Sequence, residues 1–427
     1  MRIEGESIEA RAARLLARLK QEKNILLILD DFWTRLELSD VGIDLDEVSC
    51  KVIITSRRLD VCNSMKTTEN MKSTKNIEVK VLSNKDSLEL FRQEVGDVDS
   101  DVLLKKSEEI ANECDGLPLA IVTLARTLRN KDKRFWDAVI QQLKKSMCGG
   151  MSPVNASIKL SYDFLKTSET KLCFLLCALF PEDHKITMDV PVGYAMEEDL
   201  LGEVESLSEA RGNLHIMVDT LVCSGLLLKG KDDEDEFFMM HDIFRDAAIS
   251  IARENRNESI MSAGLGLQKW PKLKEPGKCL RLSLMSNDIR EVPAGTPECS
   301  QLVTLSLAKN MSLADIPDGF FEGMKRLATL DLSNIGIKYL PQSLSSLNNC
   351  LRSMYVNDCT KLQDISVIGN LKTLEILGLQ STIGILRLPE EISGLRNLKM
   401  LNLTDNWNLK CIPPNVRAST AVAGSIC

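Results

Sequence analysis

A chain of 427 residues exceeds what one hydrophobic core usually holds and points to about three domains. With 44% hydrophobic and 27% charged residues the composition is that of an ordinary folded protein, which argues against both disorder and a membrane class. The net charge of -8 and a pI near 5.3 argue against nucleic acid as a partner, because that partner calls for a basic stripe.

Residues Met1 to Lys23 are too charged for a signal peptide, and no segment reaches the ~20 apolar residues of a membrane span, so a cytoplasmic location is expected. The thirteen cysteines are then expected to be reduced and mostly buried. Cys173 and Cys177 lie one helical turn apart, but with three histidines and no CxxC in the chain, zinc is not expected.

Ala12, Leu15, Leu16 and Leu19 at helical spacing predict an amphipathic helix over residues 7–23. The run Ile25-Leu26-Leu27-Ile28-Leu29 has no polar alternation and predicts a strand buried on both faces, as in a central parallel sheet. It ends in Asp30-Asp31, the Walker B arrangement, where a phosphate-bound Mg²⁺ would be held; a core strand capped by a solvated turn reads equally well from this segment alone. A second strand, Lys51 to Thr55, runs into Ser56-Arg57-Arg58. Strand, helix and strand with both polar ends on one side would place Arg57 near Asp30 across the top of the sheet. A guanidinium there can reach a terminal phosphate, although an isolated arginine after a strand is more often a surface residue. A third strand is expected over Ile77 to Leu82.

From Asn84 the period becomes helical, and a bundle is expected with Cys114-Asp115-Gly116-Leu117-Pro118-Leu119 between its second and third helices. Residues 151–262 read as a further helical unit. Leu221 to Leu228 and Phe237 to Met240, flanking the acidic turn Asp232 to Glu236, predict a hairpin. Helices followed by a hairpin suggest a winged helix, and five acids at its tip favour protein over DNA. His241-Asp242 then precedes an amphipathic helix, Ile243 to Arg253.

After a linker over residues 263–277 the chain becomes periodic. Leu302-x-x-Leu305-x-Leu307, Leu327-x-x-Leu330-x-Leu332, Leu351-x-x-Met354-x-Val356, Leu374-x-x-Leu377-x-Leu379 and Leu398-x-x-Leu401-x-Leu403 recur every 23 to 25 residues, the signature of leucine-rich repeats over residues 278–415. Thr304, Ser306, Thr329, Asp331, Ser353, Tyr355, Asn357, Gln380, Asn402 and Thr404 are expected to face outward on the concave sheet as a protein-binding surface. Residues 416–427 match no repeat.

Taken together, Leu26 to Trp33, Ile54-Thr55-Ser56-Arg57, Gly116-Leu117-Pro118-Leu119, Cys173 to Pro181 and Met240-His241-Asp242, followed by leucine-rich repeats, resemble the plant intracellular NB-ARC leucine-rich-repeat disease resistance proteins of the coiled-coil class. The fold class implied is multidomain: a partial P-loop-NTPase-like α/β sheet over residues 1–82, a helical bundle over 83–150, a winged-helix domain over 151–262 and a leucine-rich-repeat solenoid. By this resemblance the chain is an innate-immune receptor and ADP/ATP switch, not a true enzyme. Asp30 would hold Mg²⁺, Asp31 would assist hydrolysis and Arg57 would sense the terminal phosphate. Gly116, Leu117 and Pro118 would border the adenine and sugar, and His241 would touch the ADP phosphates. These residues would converge on one phosphate-sized space. The repeats would engage a pathogen effector or a guarded host protein, with self-association a further expectation.

The family's phosphate loop, G-x-x-x-x-G-K-[ST], is expected before the first strand and is not found there. Gly225 to Asp232 imitates it but ends in Asp and enters an acidic turn. Losing three charged hydrogen bonds at ~1.5–3 kcal/mol each would remove about three to six powers of ten in affinity. Impaired ADP binding is therefore expected. The alternative is a nucleotide-independent repeat scaffold, or a decoy that pairs with an intact receptor.

Overall fold

The computed structural model describes residues 7–22, 24–45, 47–65, 75–96, 101–197, 207–232, 235–254, 259–295, 297–413, 416 and 421–423. They fall into two compact units, Met1–Lys80 and Val81–Cys427.

In the first unit, α1 (Ile8–Leu19) starts at Ser7, whose hydroxyl accepts the Ala10 N–H at 3.2 Å, a standard N-cap. Strands β1 (Ile25–Leu29) and β2 (Cys50–Ile54) pair in parallel, with Ile25 opposite Cys50 and Leu29 opposite Ile54. The segment joining them holds a 3-10 turn, Leu38–Val41, rather than the expected helix. Helix α2 (Leu59–Met65) follows β2. Leu16, Leu19, Leu27, Leu29, Leu38, Ile43, Val48 and Met65 form the unit's core on one face of this ribbon. Burial on both faces does not hold: Leu26, Ile28 and Ile53 are 54%, 64% and 49% exposed. A strand's side chains alternate between faces, and only the face carrying Leu27 and Leu29 meets α1 and the 3-10 turn. The third strand is also absent. Residues 75–83 form no strand, and the Leu82 N–H donates to the Gly116 carbonyl at 2.9 Å.

In the second unit, helices α3 (Asn84–Val95), α4 (Asp101–Glu113), α5 (Pro118–Leu128) and α6 (Lys133–Cys148) bury Phe91, Ile110, Ile121, Leu124, Trp136 and Val139. Capping side chains fix their starts: Ser83 accepts from Asp86 N–H, Asp132 from Phe135 N–H, and Pro118 opens α5. A buried hydroxyl pair, Thr127 and Ser161 at 2.6 Å, joins α5 to α7 (Pro153–Asp163). Next come α8 (Ser168–Cys177), α9 (Asp189–Glu197), α10 (Leu207–Cys223), a hairpin of β3 (Leu228–Asp232) and β4 (Asp235–Met239), and α11 (Asp242–Glu254). The second strand of the hairpin lies where expected, but the first starts only at Leu228, because Leu221 to Cys223 complete α10. Ile186 and Phe238 add an antiparallel bridge to it.

Strands β5 (Ser259–Met261), β6 (Arg281–Ser283), β7 (Thr304–Ser306), β8 (Thr329–Asp331), β9 (Ser353–Tyr355), β10 (Ile376–Gly378), β11 (Met400–Asn402) and β12 (Ala421–Ala423) form one parallel sheet in chain order. The repeat leucines fill the space behind it. β5 precedes the first leucine repeat and β12 follows the last, so the ladder runs past both ends of the sequence pattern. Asn310, fully buried, donates to Leu284 O and Leu307 O at 2.9 and 2.8 Å and accepts Ile289 N–H at 3.0 Å. Its amide thereby ties neighbouring coils together where their backbones turn away from the sheet.

The front of the sheet departs most from expectation. Thr304, Ser306, Thr329, Asp331, Ser353, Tyr355 and Asn402 are buried, while Asn357, Gln380 and Thr404 are half-buried. The covering layer is the chain's own helical region. Met285, Ala308, Tyr355, Ile376 and Met400 share a core with Phe180, Tyr194, Leu214 and Phe238. Tyr194 donates its hydroxyl to Asp331 at 3.2 Å, and Ser283 donates to Leu179 O. A Cβ on Gly193 would lie 2.1 Å from the Tyr355 hydroxyl, so the lack of a side chain lets α9 approach this closely. Across the same seam His184 Nδ1 lies 3.3 Å from Lys309 Nζ. The hydroxyls of Thr304, Thr329 and Ser353, a row across β7, β8 and β9, are buried with no hydrogen-bond partner among the described residues.

Two outcomes are expected. Asn310→Leu leaves Leu307 O and the Ile289 N–H unpaired, while Leu284 O still accepts from Asn287, and should cost about 2 kcal/mol or more in urea unfolding. Burial first, and then Lys309, hold the His184 pKa down at about 4, against 6.5 ordinarily. Between pH 6.5 and about 4 the unfolded chain therefore takes up a proton that the folded chain refuses, and stability falls as the pH drops. Burial raises the Asp331 pKa, which gives the opposite slope. His184→Gln should flatten the decline over this window and Asp331→Asn should steepen it just above pH 3.8; parallel profiles would contradict the assignment.

Candidate functional site

The candidate chemistry of the first unit gathers where β1 and β2 end together. Beyond the strands the ladder continues: Thr55 N–H donates to Leu29 O at 3.0 Å and Phe32 N–H to Thr55 O at 2.9 Å. Asp31 takes a left-handed conformation, φ 52°, which turns the chain sharply at this point. Its N–H donates to Thr55 Oγ1 at 2.9 Å, and that hydroxyl donates in turn to Asp30 Oδ1. Ser56 Oγ donates to Phe32 O at 2.6 Å and accepts Arg58 N–H at 3.0 Å. The two strand ends are thus stitched by hydroxyls, and the acidic pair is held between them.

Arg57 faces Asp31 rather than Asp30, with Nε 3.5 Å from Oδ1. The cause is the turn at Asp31, which swings its carboxylate toward β2 while Thr55 occupies Asp30. Trp33 completes the group. Its Nε1–H donates to Asp31 Oδ2 at 3.1 Å, and the Arg57 guanidinium carbon lies 5.4 Å from the ring centroid. Both side chains of the Arg57–Asp31 pair remain about half exposed, so the pair is open to exchange with a ligand.

These donors suit a hard cation. Asp30 supplies a carboxylate at the strand terminus with the Thr55 hydroxyl beside it, the sparse oxygen set from which Mg²⁺, keeping most of its waters, is commonly held together with a phosphate. In the sequence Thr55 reads as an ordinary strand residue. A hydroxyl directly before Ser56-Arg57, one strand over from two aspartates, was the available signal.

The other candidates lie in the second unit, at the starts of two helices. Gly116, with φ +70°, follows Asp115 at φ 51°, and its carbonyl accepts the Leu82 N–H. A Cβ there would lie 2.4 Å from Leu82 O. Leu117 is the N-cap of α5 and its carbonyl accepts the Ile121 N–H at 3.1 Å; Pro118 fills the first helical position. Packing therefore accounts for Gly116-Leu117-Pro118 without a ligand. His241 stands before α11, where its carbonyl accepts the Arg245 N–H at 3.0 Å. Its ring is 44% exposed, and Nδ1 contacts both the Ile243 N–H and Asp242 Oδ1. Because Asp242 already accepts that N–H at 2.7 Å, Nδ1 donates to Asp242, and Nε2 is the nitrogen not engaged in this contact. Leu119 packs against the core that also holds Met240 and Phe244, so the segments bearing Pro118 and His241 border one core.

Residues 3–101 match the family model described as NB-ARC domain. The chain is 36% identical over 373 residues to "Probable disease resistance protein At4g27220" of Arabidopsis thaliana, covering 85% of this chain and 40% of that protein. It is 36% identical over 421 residues to "Disease resistance protein At4g27190" of the same plant, covering 96% and 42%. Against "Disease resistance protein SUMM2" it is 34% identical over 341 residues, covering 76% and 37%. The chain spans about two fifths of the length of these relatives.

Gly116→Ala should destabilise the α3–α6 bundle by about 1–3 kcal/mol, since the new Cβ meets both an unfavourable φ and a backbone oxygen. Thermal unfolding measures it; an unchanged midpoint would mean that the loop can move aside.

Proposed function

The chain belongs to the NB-ARC disease resistance proteins of plants, and on that premise we propose that it acts in innate immunity as part of a nucleotide-dependent switch. The observation that carries this reading is the joining of Asp30, Asp31, Thr55 and Arg57 at the shared end of two parallel strands. In open α/β sheets that end is where ligands bind. Asp30, beside Thr55, would hold Mg²⁺, which when bound neutralises phosphate charge. Asp31 would orient a water or accept its proton, and Arg57 would exchange its contact with Asp31 for one with a terminal phosphate. An exposed ion pair contributes only ~0–1 kcal/mol, so a phosphate can displace Asp31 cheaply.

In this reading residues 151–262 act as a winged-helix unit. Gly116, Leu117 and Pro118 would border the base and sugar, and His241 would touch the ADP phosphates, as in the family that the motifs resemble. The seam between the helices and the front of the repeat sheet then belongs to the closed state. Protein recognition, whether of a pathogen effector or of a guarded host protein, falls to the rim of the repeats while that seam is shut. Ile383, Leu386 and Trp407 are exposed there, next to half-buried Gln380 and Thr404.

The motif G-x-x-x-x-G-K-[ST] does not occur in these 427 residues. This polypeptide alone is therefore expected to bind Mg²⁺-ADP more weakly than micromolar and to turn over little ATP. Calorimetric titration with Mg²⁺-ADP checks this. Submicromolar binding would overturn the affinity estimate, and weak binding unaffected by Asp30→Ala and Arg57→Ala would overturn the site assignment.

A further inference from the structure

Trp33 is absorbed neither by the fold, since its ring is 53% exposed, nor by the roles given above to Asp30, Asp31 and Arg57. An exposed tryptophan on a turn has no packing reason to adopt one orientation. This one is nevertheless fixed at both ends. Its indole N–H donates to Asp31 Oδ2 at 3.1 Å, while its π face lies 5.4 Å from the guanidinium of Arg57. Arg57 itself reaches the other oxygen of the same carboxylate, with Nε 3.5 Å from Oδ1. The three groups form a closed ring of complementary contacts: an indole donor on one carboxylate oxygen, a cation on the other, and the cation against the indole face. Each contact orients the next, so the ring fixes positions that no single exposed contact would fix.

We propose that Trp33 is the positioning residue of this site, a clamp that holds the Arg57 guanidinium at the mouth of the strand ends and decides how far it can travel toward a ligand. The inference rests on the nucleotide-site reading above only for the identity of that ligand, a nucleoside triphosphate as opposed to a diphosphate. Stacking on Trp33 engages the flat face of the guanidinium, whereas anions are met by its N–H edge. When a terminal phosphate takes the place of Asp31, Arg57 can keep its aromatic contact with Trp33. Loss of the ring would free the side chain to sample many rotamers, and discrimination between phosphate numbers would fall.

The test uses the full chain labelled with ¹⁵N at the indole nitrogens, the Trp33 signal being assigned by its absence in Trp33→Phe. In the wild type this indole N–H is expected downfield and slow to exchange with water. Asp31→Ala should move it upfield and speed its exchange. Arg57→Ala should shift it through loss of the cation, and Arg57→Lys should restore the shift in part. A resonance indifferent to Asp31→Ala and to Arg57→Ala would show that Trp33 is a bystander and overturn the clamp.

With Mg²⁺-ATP and Mg²⁺-ADP as probes, Trp33→Ala should reduce the ratio of their affinities about threefold or more, the scale of one exposed cation–π contact, while Trp33→Phe keeps most of it. Equal ratios in wild type and Trp33→Ala would overturn the positioning role. If neither nucleotide binds the wild type measurably, as the missing phosphate loop allows, the indole resonance in the Asp31 and Arg57 variants decides the clamp.

Discussion

The structure of the second unit depends on one constraint: the polar front of the repeat sheet is covered by the chain's own helices. A sheet whose leucines all point backward into the repeat core could stand alone with its small polar side chains in water. Here Tyr194, Phe180 and Leu214 lie on it, and Ile376 and Met400 answer them from the strands, with Met285 just beyond β6. Helices and repeats thereby share a continuous core. The arrangement of α8, α9 and α10 is held by contacts with residues more than a hundred positions away in sequence, such as Asp331 with Tyr194. Arg245 reinforces it from behind. Almost fully buried, it donates to Phe180 O at 2.7 Å and so pins the end of the segment that reaches the sheet.

Much of this was legible in the sequence, and the reasons differ from place to place. The repeats were readable because a backbone that coils every 23 to 25 residues must return a leucine to the same interior position each time. The parallel pairing of β1 with β2 was readable from two aliphatic runs with polar ends. Which side of the repeat sheet would meet water was not, because Thr, Ser and Asn on a strand look the same whether solvent or a polar-edged helix covers them. The same limit governs β1. Leu26 and Ile28 read as buried from hydropathy, whereas burial depends on what is placed against them.

At the candidate site the residue types were legible and their pairing was not. Two adjacent carboxylates and an arginine one strand away announce anion and cation chemistry. Which carboxylate meets the arginine is set by one backbone dihedral, the positive φ of Asp31, which aspartate tolerates but does not demand. Thr55 and Trp33 lay hidden for a related reason. A threonine is an ordinary strand residue, and a tryptophan after a strand is an ordinary core residue, until the turn brings each against a carboxylate oxygen. At Gly116 the reverse applies. The sequence suggested a ligand contact, while the backbone geometry already explains the glycine by its approach to Leu82.

The row of hydroxyls from Thr304, Thr329 and Ser353 has a consequence for how the covered face behaves. Each one gave up its hydration on being enclosed and gained no hydrogen bond from the described residues in return, a loss of ~1–3 kcal/mol apiece. Rehydration of that row would recover much of the loss as soon as the helices lifted away. The cohesion of the seam is thus opposed along its length by a built-in tendency to wet, a property suited to surfaces that part and rejoin more than to a permanent interior.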